Sequence, residues 1–202
     1  MTTIASLRMK YANKYLARAD ADTLPWTASD IDLHLGDAIR QLWPVHGLFV
    51  SGDVATTSAG MEYTVPASIA RLSRIEILDT SGYYRGAVTN WRTLTSGKVV
   101  IKPVLAGGYN LRFWGWKAFS QDAADLPVAL EDVVSKLAAA QAYGQLAAHL
   151  TNTQRQQSLD SGRMVDHQQA IALSAYWQRV AESRLFNDPT RVALAPRMAQ
   201  RG

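Results

Sequence analysis

The chain has 202 residues, 48% of them hydrophobic and 19% charged, with a net charge of +4 and no cysteine. This length suits one compact domain or two small ones with a core that needs no covalent staple, and the composition excludes a disordered chain. Without cysteine there are no disulfides, no thiolate metal sites and no cysteine nucleophile, which fits folding in a reducing cytoplasm or indifference to redox state. The apolar runs fall far short of the roughly 20 residues that span a bilayer. The start, MTTIASLRMKYANKYL, lacks an apolar stretch and is expected to be neither signal peptide nor anchor, so no membrane partner is expected.

The first predicted element is a helix over residues 3 to 18, where Ile4, Leu7, Tyr11, Tyr15 and Leu16 recur at helical spacing and Thr2 or Thr3 caps the start. ADADTLPW follows as a linker. Thr27 then offers an N-cap with Asp30 at the third helical position, where an acid satisfies free N–H groups and meets the positive helix end. The helix it opens carries Ile31, Leu35, Ala38, Ile39 and Leu42 on one face. It stops at Trp43-Pro44, because proline cannot continue the ladder.

From about residue 48 to 119 the period changes to two. Strands are expected over 48–51, 61–66, 72–79, 83–94, 98–104 and 109–119, all rich in β-branched and aromatic residues. Ser51-Gly52-Asp53, Ala59-Gly60, Asp79-Thr80-Ser81-Gly82, Ser96-Gly97 and Gly107-Gly108 supply the turns between them. The branched residues of KVVIKP crowd both parities, as in a strand covered on both sides. In GGYNLRFWGWKAF, Tyr109, Leu111, Phe113 and Phe119 share one parity, and the first three are expected to face the core of this region. Trp114 and Trp116 take the other parity and are left for a second surface, either the helical layer or a neighbouring protomer. Gly115 between them marks a bulge or a close backbone approach. The region reads as a small antiparallel sheet or sandwich of five or six strands.

Helical period returns over 127–150, which opens with Pro127 and has Glu131 and Asp132 in its first turns. Leu130, Val133, Val134, Leu137, Ala140 and Gly144 form its stripe, and the rest is alanine-rich, which permits close helix neighbours. After the polar bridge TNTQRQQSLDSG a last helix spans about 163 to 186, with Val165, Ile171, Leu173, Tyr176, Trp177, Val180 and Leu185 on its face. Residues 187–202 show no period and contain Pro189 and Pro196; fully extended they reach about 50 Å. The expected architecture is therefore α+β. Residues 1–46 and 120–186 form a four-helix bundle, 47–119 an inserted antiparallel β domain, and 187–202 an extended C-terminal arm.

Chemistry-bearing patterns are sparse. His34, His46, His149 and His167 stand singly, in no metal-ligand spacing, and read as surface or helix-end residues. Among Asp30, Asp32 and Asp37, residues 30 and 32 do not share a helical face and no histidine or lysine follows at a useful offset; Asp30, like Glu131 and Asp132, reads as part of a solvated helix start. The glycines match neither GxGxxG nor a phosphate loop, and Ser51 reads as a turn residue rather than a nucleophile. Tyr83, Tyr84 and Trp91 interleave with Arg85 and Arg92, which admits single-strand stacking, but a half-buried strand with arginine stems over its rings explains them more simply. No catalytic, cofactor or metal residue is assigned.

Charge alternates along the chain. Arg8, Lys10, Lys14 and Arg18 precede Asp20, Asp22, Asp30, Asp32 and Asp37, and Arg191, Arg197 and Arg201 close it. Such alternation suits charged ends meeting opposite neighbours better than the dense basic stripe of a dedicated DNA reader.

As a whole the layout resembles the head–tail adaptor (connector, or head-completion) proteins of long-tailed bacteriophages and related gene-transfer particles. The residues that carry the resemblance are the opening helix with LPWTASDIDLHLGDAIRQLWP, then YNLRFWGWKAF leading to DLPVALEDVVSKLAAAQAYGQLA, and finally QQAIALSAYWQRVAESRL before a short basic tail. The sequence departs from the family pattern at Ser29-Asp30-Ile31-Asp32, where an acid, a spacer and Glu-Leu are commoner.

The resemblance implies a structural, non-enzymatic virion protein without cofactors, made in the host cytoplasm and sited in the neck between capsid and tail. Such proteins form a ring, commonly dodecameric, under the portal; the ring extends the DNA channel and presents a docking surface for the stopper or tail terminator. On this reading Arg191, Val192, Leu194, Pro196, Arg197 and Met198 would dock the portal. Arg8, Lys10, Lys14, Asp30, Asp32, Trp114 and Trp116 would meet the neighbouring protomer. Arg85, Arg92 and Lys98 would line a lumen through which double-stranded DNA passes unread. The alternatives are another neck, tail-completion or baseplate component, a non-specific nucleic-acid-binding module around Tyr83–Lys98, or an enzyme without a recognisable motif.

Overall fold

The structure is a computed structural model describing residues 2–16, 26–56, 60–153, 157–158 and 164–185. The protein is α+β, and its described residues hold four α-helices and antiparallel sheets. They divide into two compact units. Residues up to His46 together with those from Phe119 onward make the helical unit, and Gly47–Ala118 makes the β unit. The predicted arm, with Arg191, Val192, Leu194, Pro196, Arg197 and Met198, lies outside the described residues.

In the helical unit, α1 (Ile4–Tyr15) and α2 (Ala28–Gln41) each begin with a capping box. Thr3 pairs with Ser6 in the first, and Thr27 pairs with Asp30 in the second. Each box satisfies two N–H groups that the helix itself cannot. The long helix α3 (Val128–Thr153) is the element around which α1, α2 and α4 (His167–Leu185) gather. Leu130, Val134, Leu137 and Ala140 are buried on its predicted stripe, and so are Ala138, Ala139, Ala142 and Ala147 on its other side. Its small residues admit α4 closely, and Ser174 Oγ donates a 2.7 Å hydrogen bond to the Ala140 carbonyl. That contact reverses part of the expected face of α4. Ala170, Ala181 and Leu185 are buried, whereas Ile171 and Tyr176, predicted to face inward, are exposed. A partner surface made of alanines selects small residues opposite it and turns the large ones out.

The β unit is a two-layer sandwich. Strands β1 (Leu48–Thr56), β2 (Gly60–Thr64), β3 (Arg71–Leu78), β4 (Tyr84–Ala87), β5 (Trp91–Thr93), β6 (Lys98–Leu105) and β7 (Tyr109–Lys117) form two sheets, ordered β1-β7-β3-β4 and β2-β6-β5. Tyr63, Ile69, Ile75, Val99, Ile101, Leu111 and Phe113 make the core between them. Alternation along the strands puts these residues inward, as the period of two requires.

Three strand expectations are corrected. First, β1 runs straight through Ser51-Gly52-Asp53, with Gly52 opposite Phe113 on β7. A Cβ at Gly52 would sit 2.9 Å from Pro66, so that glycine serves a close approach and not a turn. Second, the run 83–94 is not one strand: β4 pairs with β3, and β5 pairs with β6. Val88 N–H still bonds to Ile75 on the first sheet while the Asn90 carbonyl accepts from Lys102 on the second, so the chain changes layers between them. Third, β7 ends at Lys117, and Phe119 belongs to the helical unit. Gly115 marks a close approach, since its Cβ would lie 2.3 Å from the Arg71 carbonyl oxygen. A further short pair joins β8 (Gln157–Ser158), in the segment expected to be a polar bridge, to β9 (Met164–Val165), where the last helix was expected to have begun with Val165 on its face.

Candidate interaction surfaces

The first charged constellation lies in the helical unit. Glu131 and Asp132 were expected to be solvated residues of a helix start; they are instead the hub of that unit. Glu131 is only 8% exposed and accepts hydrogen bonds from Thr2 Oγ1 and Lys10 Nζ, both at 2.6 Å. Asp132 accepts from Lys14 Nζ at 2.9 Å, Lys136 Nζ at 2.5 Å, Arg184 Nη1 at 2.5 Å and the Tyr15 hydroxyl. One carboxylate thereby joins α1, α3 and α4. Burial opposes ionisation of both acids, but the donors outweigh it. Lys10 and Thr2 hold Glu131 below the ordinary carboxylate range, and Lys136, Tyr15 and Lys14 do the same for Asp132.

The residues proposed from sequence for protomer contacts are partnered within the chain. Arg8 Nη1 meets Asp32 at 2.9 Å, Lys10 and Lys14 meet the two hub acids, and Asp30 is held by Thr27 in the capping box. Hydrogen bonds from the Thr27 hydroxyl and backbone N–H lower the Asp30 pKa. The Lys10 and Lys14 side chains nevertheless stay 63% and 65% exposed.

Two histidines depart from their expected surface role. His46 is fully buried, with Nε2 2.9 Å from the Leu185 carbonyl, and buried His34 shares a 2.8 Å hydrogen bond with Gln145. His167 Nδ1 lies 2.9 Å from the Ala147 carbonyl, and His149 lines a small cleft with Trp26, Asp30 and Gln145. Among the described residues no group of three or more His, Asp or Glu is placed to hold a metal ion, and no helix is long and apolar enough to cross a membrane.

The second constellation is the outer face of the four-stranded sheet. The pairing of β1 with β7 sets Phe49 opposite Trp116 and Ser51 opposite Trp114. Phe49 stacks on Trp114 at 5.6 Å between ring centroids and tilts against Trp116 at 4.8 Å. The Trp114 indole N–H donates to Glu76 at 2.7 Å, and the Arg74 guanidinium lies 4.8 Å from the Trp114 ring centre. Beside them Arg112 makes a bidentate pair with Asp53, both contacts at 2.8 Å, and holds that carboxyl below its usual range. Phe49 was not anticipated from sequence, because the predicted turn at Ser51 hid its register with the tryptophans.

The third constellation is the β5 end of the sandwich. Trp91 packs against the core, while Arg92 points to the opposite face beside Val100, as alternation dictates. A cavity of about 360 Å³ opens on the core side, lined by Val65, Ile69, Arg71, Leu72, Trp91 and Lys98 among others. A smaller one, about 120 Å³, lies on the outer side between Asn90, Arg92, Val100 and Lys102. Of the residues proposed for a DNA channel, Arg92 and Lys98 fall on this β5–β6 pair. Arg85 sits on β4 in the other sheet, bound to Asp79 at 2.8 Å. Lys98 faces Glu62 at 3.7 Å.

The chain matches no protein-family model and no curated protein. Among solved structures it is similar to a chain of "Neck of empty GTA particle computed with C6 symmetry", with 16% identity, a TM-score of 0.30, and coverage of 86% of this chain and 87% of that one. It is also similar to a chain of "Virion of native gene transfer agent (GTA) particle", at 18% identity and TM-score 0.29 over 86% and 87% of the two chains. A third, "Neck of native GTA particle computed with C12 symmetry", shares 16% identity at TM-score 0.29 over 88% and 92%. Likeness at these scores decides neither fold nor role.

Proposed function

We propose that the chain is a non-enzymatic structural protein of a phage-like or gene-transfer particle, acting in the neck between capsid and tail as a head–tail adaptor. The observation that carries this reading is the layout. Helices from before and after an inserted β sandwich converge on one alanine-rich helix, in the order that the resemblance of the sequence to that family implies. In this role the four helices act as a bundle and build a ring, commonly dodecameric in such proteins, beneath the portal. The β unit extends the channel and offers a docking surface to the stopper or tail terminator.

Closing a ring requires head-to-tail contacts between two different patches of each copy. The exposed ammonium groups of Lys10 and Lys14, together with Arg8, Asp30 and Asp32, supply charge for these contacts, and Phe49 with Trp114 and Trp116 supplies rings. Arg85, Arg92 and Lys98 are the cations assigned to the lumen, too few to hold DNA tightly as it passes. The arm 187–202 docks on the portal through Val192, Leu194, Pro196 and Met198, with Arg191 and Arg197 meeting acids.

Electron microscopy of the purified chain, alone and mixed with the portal protein of its own particle, tests the reading. The expected result is rings seated on the portal by the full-length chain, with folding retained but docking lost on deletion of residues 187–202. Absence of any portal-bound ring from the full-length chain overturns the adaptor role. Normal docking by the truncated chain overturns the role of the arm alone.

A further inference from the structure

Eight of the 21 Lys and Arg residues and four of the 17 acids fall within residues 47–118, so the β unit carries the entire net charge of +4. Each of its four acids is already matched: Asp53 with Arg112, Glu62 with Lys98, Glu76 with Arg74 and Asp79 with Arg85. Of the other four cations, Arg71, Arg92 and Lys102 make no ion pair among the described residues. All three lie at the β5 end of the sandwich, Arg71 in the cavity on its core side and Arg92 with Lys102 in the cavity on its outer side.

Strand β5 is also an edge, since the three-stranded sheet ends with it. It is short, and Arg92 and Thr93 are exposed. An edge strand presents backbone N–H and C=O groups that a further strand can pair with. Successive side chains of an added strand point to opposite faces. One set would meet the core-side cavity, where the apolar side chains of Val65, Ile69, Leu72 and Trp91 share the wall with Arg71 and Lys98. The alternate set would meet Arg92, Lys102 and Asn90.

From this juxtaposition we infer that the β5 edge is a docking site for an extended segment of another protein in which acidic and apolar residues alternate. Backbone pairing with β5 supplies the register, the core-side cavity takes the apolar side chains, and Arg92 and Lys102 receive the carboxylates. Nucleic acid fits less well, because Arg92 and Lys102 on the outer side with Arg71 and Lys98 in the cavity wall fall short of the dense basic stripe of a nucleic-acid reader. The site belongs to the β unit itself and does not rest on the chain being a neck component.

The test uses the full-length chain and a fluorescein-labelled peptide of alternating glutamate and valine, followed by fluorescence anisotropy. Controls are a peptide of the same composition with its glutamates in one block, an alternating peptide N-methylated at every second residue, and a 20-base-pair DNA duplex. The expected result is saturable binding of the alternating peptide, at least about tenfold weaker for the block and N-methylated peptides. The double substitution Arg92→Glu with Lys102→Glu, both on exposed side chains, should weaken binding by at least about tenfold while the circular dichroism spectrum is unchanged. Equal binding of the block peptide, tighter binding of the duplex, no binding of the alternating peptide, or indifference to the double substitution would each overturn the inference. Absence of portal-bound rings from the full-length chain, with peptide binding intact, would overturn the adaptor role and leave this site standing.

Discussion

Asp132 and Asp53 are both aspartates held by basic side chains, yet they sit in opposite settings. Asp132, in the helical unit, gathers Lys14, Lys136, Arg184 and Tyr15 from three helices, and one of its partners, Lys136, has a side chain only 6% exposed. Asp53, in the β unit, meets Arg112 alone, and the two side chains are 47% and 34% exposed. The helical unit uses charge to lock its own helices together. The β unit matches its acids one to one along its outer faces and keeps a surplus of cations. Charge buried among helices is committed to the fold, whereas charge left on a sheet surface is available to a partner.

That contrast predicts a graded set of effects. The largest is expected for Asp132→Ala, which leaves Lys136 buried without its carboxylate; unfolding in urea followed by circular dichroism should show a loss of about 3 kcal/mol. A cost below about 1 kcal/mol would mean that the hub behaves as a surface pair, and the comparison between the units would fail.

Acid provides the next test. Glu131 and Asp132 have pKa values lowered in the folded protein, so the stability they contribute is fully present above the unfolded carboxylate range and is lost as pH falls through the folded values. Below about pH 4 the helical unit should therefore loosen. Asp53 is lowered in the same direction by Arg112, but that pair is screened by water, so the β unit should hold to lower pH. Hydrogen exchange from about pH 5 down to about pH 2 separates the units, and earlier opening of the sandwich would reverse the assignment. The smallest effect is expected for Asp53→Asn, within about 1 kcal/mol by the same urea unfolding. A larger cost would show the outer face of the sheet to be part of what holds the β unit together.

Much of the local structure was legible in the residues themselves. Thr27 and Asp30 announce the start of α2, Pro44 follows its end, and the change of period near residue 48 separates strands from helices. These signals work because caps, prolines and side-chain alternation act over a few residues. The parity of Leu111 and Phe113 likewise foretold their burial, whereas Tyr109, expected inward on the same parity, is exposed. Phe49 as partner of both tryptophans escaped that reading because it depends on register between strands distant in sequence, and Lys102 as neighbour of Arg92 escaped it because residues 83–94 read as one strand.

By itself, then, the sequence determined the capped start of α2, its end before Pro44 and the change from helical to strand period near residue 48. Only the tertiary structure decided that Gly52 is a close approach to Pro66 rather than a turn, and that residues 83–94 divide between two sheets. It alone made Glu131 and Asp132 a hub instead of a wet helix start. The physical reason is common to all three. A glycine, an edge strand or a carboxylate carries the same local signature in each setting, and its role is set by what the rest of the chain brings within a few ångströms.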